Sequence, residues 1–244
     1  MSAQPTIIRE LEDAISRGKP GQRGETLHRV VELFVIGALR YSEEQIALFD
    51  DVIVRLADKI EVSVRAELAT RLAPIPNAPP RVIRNLASDE EIAVAGPVLT
   101  QSDRLDDATL VEISKMSSQL HLLAISRRKA LSPGVTDVLV ELGGRDVVLS
   151  LVANSAARIS QPGYATLVRR SQGDDEVATC VGSRPDIPRH LFLQLLAQAS
   201  ERVRNRLAPG NSPSAYQVQV VIASVASRIA AKTAAMSRNY RSAQ

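Results

Sequence analysis

The sequence is short of the residues that most simple site chemistries require. Its 244 residues include one cysteine, Cys180, and no tryptophan. A disulfide framework and a Cys-rich zinc module are therefore excluded. Aromatic residues make up 3%, too few to line a base-stacking platform or an aromatic cage. The three histidines, His28, His121 and His190, stand far apart. None lies in the HExxH or paired-CxxC spacings that present metal ligands together. The longest apolar run, Leu33 to Leu39, falls far short of the roughly 20 residues that span a membrane. Glu10, Glu12 and Asp13 stand where a secretory signal would carry its apolar core, so a cytoplasmic location is expected.

What is present is ordinary globular composition, 45% hydrophobic and 23% charged, enough to bury a sizeable core. The net charge of +3 hides an asymmetry. Residues 2–183 carry 21 basic and 25 acidic side chains, whereas residues 184–244 carry 9 basic and 2 acidic ones. Such a basic block can attract nucleic acid, acidic lipid or an acidic partner, although solvated helix surface is the plainer explanation.

The pattern is helical throughout. Ser42-Glu43-Glu44-Gln45 fits a capping box, and Ile46, Phe49, Ile53, Leu56 and Ile60 then recur at three- and four-residue steps. Asp50, Asp51, Arg55 and Asp58 fall on the opposite, polar face of that expected helix. An earlier helix runs through Leu27, Val30, Val31, Phe34 and Val35, with Gly21 and Gly24 as punctuation before it. The middle of the chain repeats. Ile75, Leu105, Leu131, Ile159 and Ile187 serve as anchors at gaps of 30, 26, 28 and 28 residues. Seven residues before them stand Leu68, Val98, Ala124, Val152 and Cys180; eight after stand Ile83, Ile113, Leu139, Leu167 and Leu195. Proline, Asp and Ser cluster around each anchor, and Pro79-Pro80 suits a helix start. Each unit is then a helix, a tight turn plugged by the anchor, and a second helix. Helices this short are not stable alone and must bury their columns against the next unit.

The expected fold is all-α, a short right-handed α-solenoid of helix pairs with N-terminal capping helices. Residues 1–60 form the cap, 61–200 five repeats, and 201–244 a basic C-terminal helical segment. In the last, after the breaker Pro209–Pro213, Val218, Ile222, Val225 and Ile229 form an apolar stripe. Left exposed, that stripe would make a homodimer.

No catalytic constellation emerges. Cys180 occupies a core column and is expected to behave as a small hydrophobe. Leu142-Gly143-Gly144-Arg145-Asp146 lacks the preceding strand and the spacing of a phosphate loop and resembles a helix C-terminus. Asp89-Glu90-Glu91 and Asp174-Asp175-Glu176 precede helices, where acids favour the dipole. No catalytic, cofactor-binding or metal-binding residue is assigned, and no cofactor is expected. The candidate binding surface is basic: Arg127, Arg128, Lys129, Arg169, Arg170, Arg202, Arg204, Arg206, Arg228 and Lys232. It requires equivalent turns to line up along one edge.

The stretches YSEEQIALFDDVIVRLADKIE, RAELATRLAPIPNAPPRVIRNLA, QLHLLAISRRKALSPGVTDVLVELG and RPDIPRHLFLQLL resemble the bacterial domain-of-unknown-function family 2336. The resemblance runs from about Arg40 to Leu196, with Arg71–Pro80 its most specific part. It implies HEAT-like or leucine-rich-repeat-variant helical repeats, and it carries over no activity, cofactor or site residue. Members continue with a further helical segment, which implies that the chain as given is a truncated piece. The expected function is a non-enzymatic protein–protein interaction scaffold, with bacterial signalling as one setting. The alternative is a nucleic-acid-binding helical-repeat module using the basic edges. Convergence of the arginines on one face would separate the two.

Overall fold

The computed structural model describes residues 23–57 and 60–208. Among them there are thirteen α-helices and no strand; one isolated parallel bridge joins Leu131 and Ala157. In chain order the helices are α1 (Arg23–Gly37), α2 (Glu43–Ala57), α3 (Val62–Leu72), α4 (Pro80–Ala87), α5 (Ile92–Gln101), α6 (Asp107–Met116) and α7 (Gln119–Ser126). Then follow α8 (Pro133–Leu142), α9 (Arg145–Ala153), α10 (Gln161–Arg170), α11 (Asp175–Gly182), α12 (Arg189–Gln198) and α13 (Glu201–Leu207). Gly21, Asp58, the Pro209–Pro213 breaker and the stripe Val218, Ile222, Val225 and Ile229 lie outside the described residues.

Local chemistry sets the helix starts. The Ser42–Gln45 box closes reciprocally, Ser42 N–H donating to Gln45 Oε1 at 2.9 Å and Gln45 N–H to Ser42 Oγ at 3.3 Å. Pro80 stands at the first position of α4, where its missing N–H costs nothing. Asp106, Ser160, Asp174 and Ser200 accept backbone N–H bonds at the starts of α6, α10, α11 and α13. Two expectations need correction. Asp50 does not face solvent: it is buried and accepts from Arg81 N–H (3.1 Å) and Val82 N–H (2.8 Å). It thus caps α4 from the side of α2. Gly24 lies inside the first turn of α1 and not before it.

From α3 onward every helix has eleven residues or fewer, so tertiary packing must supply the stability that length does not. The helices do this in two rows. In the first row α3 packs on α5, α5 on α7, α7 on α9, α9 on α11 and α11 on α13, with α1 against α3. In the second, α2 packs on α4, α6 on α8, α8 on α10 and α10 on α12. Between α4 and α6 the packing thins, and Arg84 Nη2 bonds Thr109 Oγ1 at 3.3 Å across the step. Since the chain reverses at each turn, first-row helices all end on one edge, here the upper edge, and second-row helices on the opposite, lower edge.

The core lies between the rows as one cluster from Leu27 to Leu207. Ile75, Leu105, Leu131, Ile159 and Ile187 each occupy a connection from the first row to the second. Leu105 and Leu131 are buried and the other three are partly buried against the core. Leu68, Val98, Ala124 and Val152 are buried near first-row helix ends, and Ile83, Ile113, Leu139, Leu167 and Leu195 within second-row helices. Burying one such aliphatic side chain contributes about 1.5–3 kcal/mol. At the N-terminal end the core is aromatic. Phe34 and Phe49 meet edge-on with centroids 5.2 Å apart, and Tyr41 lies 5.0 Å from Phe49.

Candidate interaction surface

A first-row helix leaves its last carbonyls unsatisfied at the upper edge, and the next unit supplies the donors. Asn77 donates to Ala38 O, and Arg104 Nε to Ala78 O at 2.9 Å. Arg128 donates to Leu99 O (2.7 Å) and Ser102 O (2.8 Å), and Asn154 to Ser126 O (2.9 Å) and Arg128 O (2.8 Å). Arg184 completes the series on Val152 O (3.1 Å), Asn154 O (2.9 Å) and Ala157 O (2.8 Å). Its guanidinium also bonds Tyr164 Oη at 2.8 Å and both Asp186 oxygens at 3.0 Å. The lower edge has a shorter series: Arg170 on Val140 O and Gly143 O, Gln198 on Val168 O, and Arg204 on Leu196 O.

This arrangement removes members of the expected basic surface. Arg128 is 8% exposed, and burial pulls its pKa below the ordinary guanidinium value. It is a structural tie, not a surface group. Arg170 and Arg204 are half-buried and committed to carbonyls. Of the rest, Arg127 and Lys129 are exposed on the upper edge, while Arg169 and Arg202 are exposed on the lower edge. Arg206 is exposed near the upper end of α13. Arg228 and Lys232 lie outside the described residues. The described arginines therefore divide between opposite edges and do not converge.

The other candidates resolve into structural roles. His121 is buried, with Nε2 2.9 Å from Asp89 O and Nδ1 2.8 Å from Ser118 Oγ. A carbonyl can only accept, so Nε2 carries the proton and Nδ1 accepts from the hydroxyl. His28 pairs with Glu67 at 3.4 Å beside a groove of about 450 Å³ between α1 and α3. His190 is exposed beside Gln161. Among the described residues no three His, Cys, Asp or Glu side chains gather as metal ligands. Cys180 is half-buried, and burial followed by the nearby Glu176 and Asp174 charges pushes its thiol pKa up, opposite to an activated nucleophile. Gly143 and Gly144 form the turn between α8 and α9, its backbone tied to Gln119 and Arg170. Asp174 caps α11 and pairs with Arg145, whose hydrogen bond holds the carboxyl below its usual range.

One feature was missed in the sequence: the middle of the first row is poor in charge. Ile92–Gln101 (α5) and Gln119–Ser126 (α7) contain no Asp, Glu, Lys or Arg. In α9 and α11 charge is confined to the first turn, at Arg145 and Asp146 and at Asp175 and Glu176. In the second row α6 carries Asp107, Glu112 and Lys115 and α8 carries Asp137 and Glu141, whereas α10 is charged only at Arg169 and Arg170 and α12 only at Arg189. The middle of the first row, α5 and α7 with the later turns of α9 and α11, thus exposes a charge-poor face bearing half-buried Ile92, Leu123 and Leu149 and exposed Leu120. The signal lies in two charge-free helices, α5 and α7, and in two others, α9 and α11, charged only in their first turns, once all four are known to share a row.

A family model described as an uncharacterised protein conserved in bacteria, domain-of-unknown-function family 2336, matches residues 94–244, more than half of the chain. The matched span begins beyond Arg71–Pro80 and runs to the last residue. No curated protein and no solved structure matches the chain significantly.

Proposed function

The chain belongs to that uncharacterised family conserved in bacteria, and from this premise we propose that it is a non-enzymatic, cytoplasmic protein-interaction scaffold built as a short α-solenoid of HEAT-like helix pairs. The observation that supports the reading is the charge-poor, partly apolar face of α5 and α7, continued by α9 and α11 beyond their first turns. Charge depletion with exposed apolar side chains is the composition of an interface centre, whereas phosphate binding needs cations on one surface. Arg127 and Lys129 on one edge and Arg169 on the other do not supply such a surface. Among the described residues no helix is long and apolar enough to cross a membrane.

Affinity capture on the full chain from a bacterial lysate, with and without nuclease, tests the reading. Captured proteins that persist after nuclease and added salt are expected. A bound fraction that is mostly nucleic acid and disappears with either treatment overturns it in favour of a nucleic-acid-binding module.

A further inference from the structure

Within each row, neighbouring helices pack closely among the described residues at every step but one, between α4 and α6 in the second row. α6 packs on α7 and α8 and only slightly on the helices before it. The spacing of the anchors marks the same place. Leu105 stands two residues beyond the position that a 28-residue period gives it, counted forward from Ile75 or back from Leu131. The repeat is out of step at this unit and regular after it.

The two sides of that step are held differently. On the first-row side α7 is pinned to α5 and its flanking turns at both edges. At the lower edge buried His121 donates from Nε2 to Asp89 O, in the turn before α5, at 2.9 Å. Toward the upper edge Thr100 Oγ1 lies 3.3 Å from Ala124 O, and Arg128 donates to Leu99 O and Ser102 O at 2.7 and 2.8 Å. On the second-row side, among the described residues, one hydrogen bond joins α4 to α6, from Arg84 Nη2 to Thr109 Oγ1 at 3.3 Å. Arg104, in the α5–α6 connection, adds Ala78 O at 2.9 Å and Glu43 at 3.9 Å. Both ties are long arginine side chains with many rotamers, which follow a moving partner. The α8–α10 step uses short ones instead. There Thr136 Oγ1 donates to Arg158 O at 2.8 Å and Ser160 Oγ to Asp137 at 2.6 Å. Pro97 inside α5 adds compliance, because it has no N–H to donate to the carbonyl of Ala93.

We propose that the molecule hinges at this step. Helices α1–α5 and α6–α13 are two arms that rotate about the α5–α7 contact, opening and closing the space between α4 and α6. Two layers joined firmly on one side and loosely on the other bend about the firm side, with each arm keeping its own packing. The rotation changes the direction of one arm relative to the other, and with it the spacing of surfaces carried on different arms. This holds whether or not the protein is a scaffold.

Electron–electron double resonance between spin labels on the full chain tests it, with Cys180→Ala removing the native thiol. Ser88, Glu141, Glu32 and Ala197 are exposed, so labels there leave the core intact. Ser88→Cys with Glu141→Cys spans the step. Glu32→Cys with Ser88→Cys lies within the first arm, and Glu141→Cys with Ala197→Cys within the second. The spanning pair should give a distance distribution about twofold wider than either pair within an arm. Arg84→Ala removes the bond between α4 and α6 and should widen the spanning distribution further while leaving the other two unchanged. Thr109→Val, which removes the same bond, takes its place where Arg84→Ala does not fold. Circular dichroism melting confirms that each labelled protein is folded. A spanning distribution no wider than the other two, or a widening shared equally by all three pairs, overturns the proposal.

Discussion

In residues 23–57 two fifteen-residue helices close around three rings, Phe34, Tyr41 and Phe49, whereas from Val62 onward shorter helices are joined by aliphatic columns and by arginine and asparagine side chains that reach back to carbonyls. The two regions solve one problem differently. A long helix satisfies most of its own backbone and needs only a good apolar face. A short helix has a large share of its carbonyls at its end, and those carbonyls face a neighbour as often as water. Guanidinium suits the second task because one planar group can serve several carbonyls while remaining charged. In the body of the molecule much of the arginine is thus architecture, and the basic composition of the chain overstates the basic surface.

The largest test of this contrast is Arg184→Ala. It leaves Val152, Asn154 and Ala157 carbonyls without their donor and Asp186 without its partner. A loss of about 3–5 kcal/mol is expected. Arg184→Lys should recover little, because an ammonium cannot span the same acceptors. Chemical denaturation measures the loss, and hydrogen exchange should place it in α9–α12 with α1 and α2 still protected. The converse test is Gly37→Ala. A Cβ there would collide with the Tyr41 ring, so the ring must leave its place against Phe49. Overpacking of this kind costs about 1–3 kcal/mol, and hydrogen exchange should accelerate in α1 and α2 first. Equal loss of protection in both regions from either variant would refute the contrast.

Helical class, the Ser42–Gln45 box and the positions of the anchors were legible because they depend on local chemistry and on spacing within one unit. The roles of Asp50, Arg128 and Arg170 were not. Asp50 sits on the expected polar face of α2, and only the approach of the α4 start, some 30 residues on, turns that face inward. Arg128 and Arg170 looked like charge clusters because their acceptors lie 26–30 residues earlier in the chain. A fragment of that signal was present. Arg128 and Arg184 both stand three residues before an anchor, Leu131 and Ile187, a recurrence more economically read as architecture than as a binding surface. The charge-free pair α5 and α7 escaped notice for a related reason: the two helices are neighbours in space and not consecutive in sequence.

Asp50 links the two regions, and its removal is expected to have a smaller effect. Asp50→Ala leaves two N–H groups at the start of α4 without an acceptor and should cost about 1–2 kcal/mol, the range of a lost N-terminal cap. Asp50→Asn retains one acceptor oxygen and should recover part of it. Thermal melting of the pair against the parent checks the order; an Asp50→Ala protein as stable as the parent would show that water replaces the cap.

The smallest expected effect is a pH dependence at Asp186. Burial pushes its carboxyl up, but hydrogen bonds from Arg184 and Tyr164 outweigh this and hold it below the usual carboxylate range. A carboxyl depressed in the folded state contributes stability that is fully present above the unfolded value, about pH 4, and is lost as pH falls through the lower folded value. Asp186→Asn should therefore be less stable than the parent at neutral pH, and the difference should shrink progressively below about pH 4. Because Asp186 is partly exposed, at 46% of its side chain, salt screens the pair and the difference should also narrow as ionic strength rises. Urea titrations of both proteins across acidic pH measure it. A difference that persists unchanged at low pH would mean that Asp186 acts through its shape and neutral hydrogen bonds, leaving the carbonyls to hold Arg184 in place.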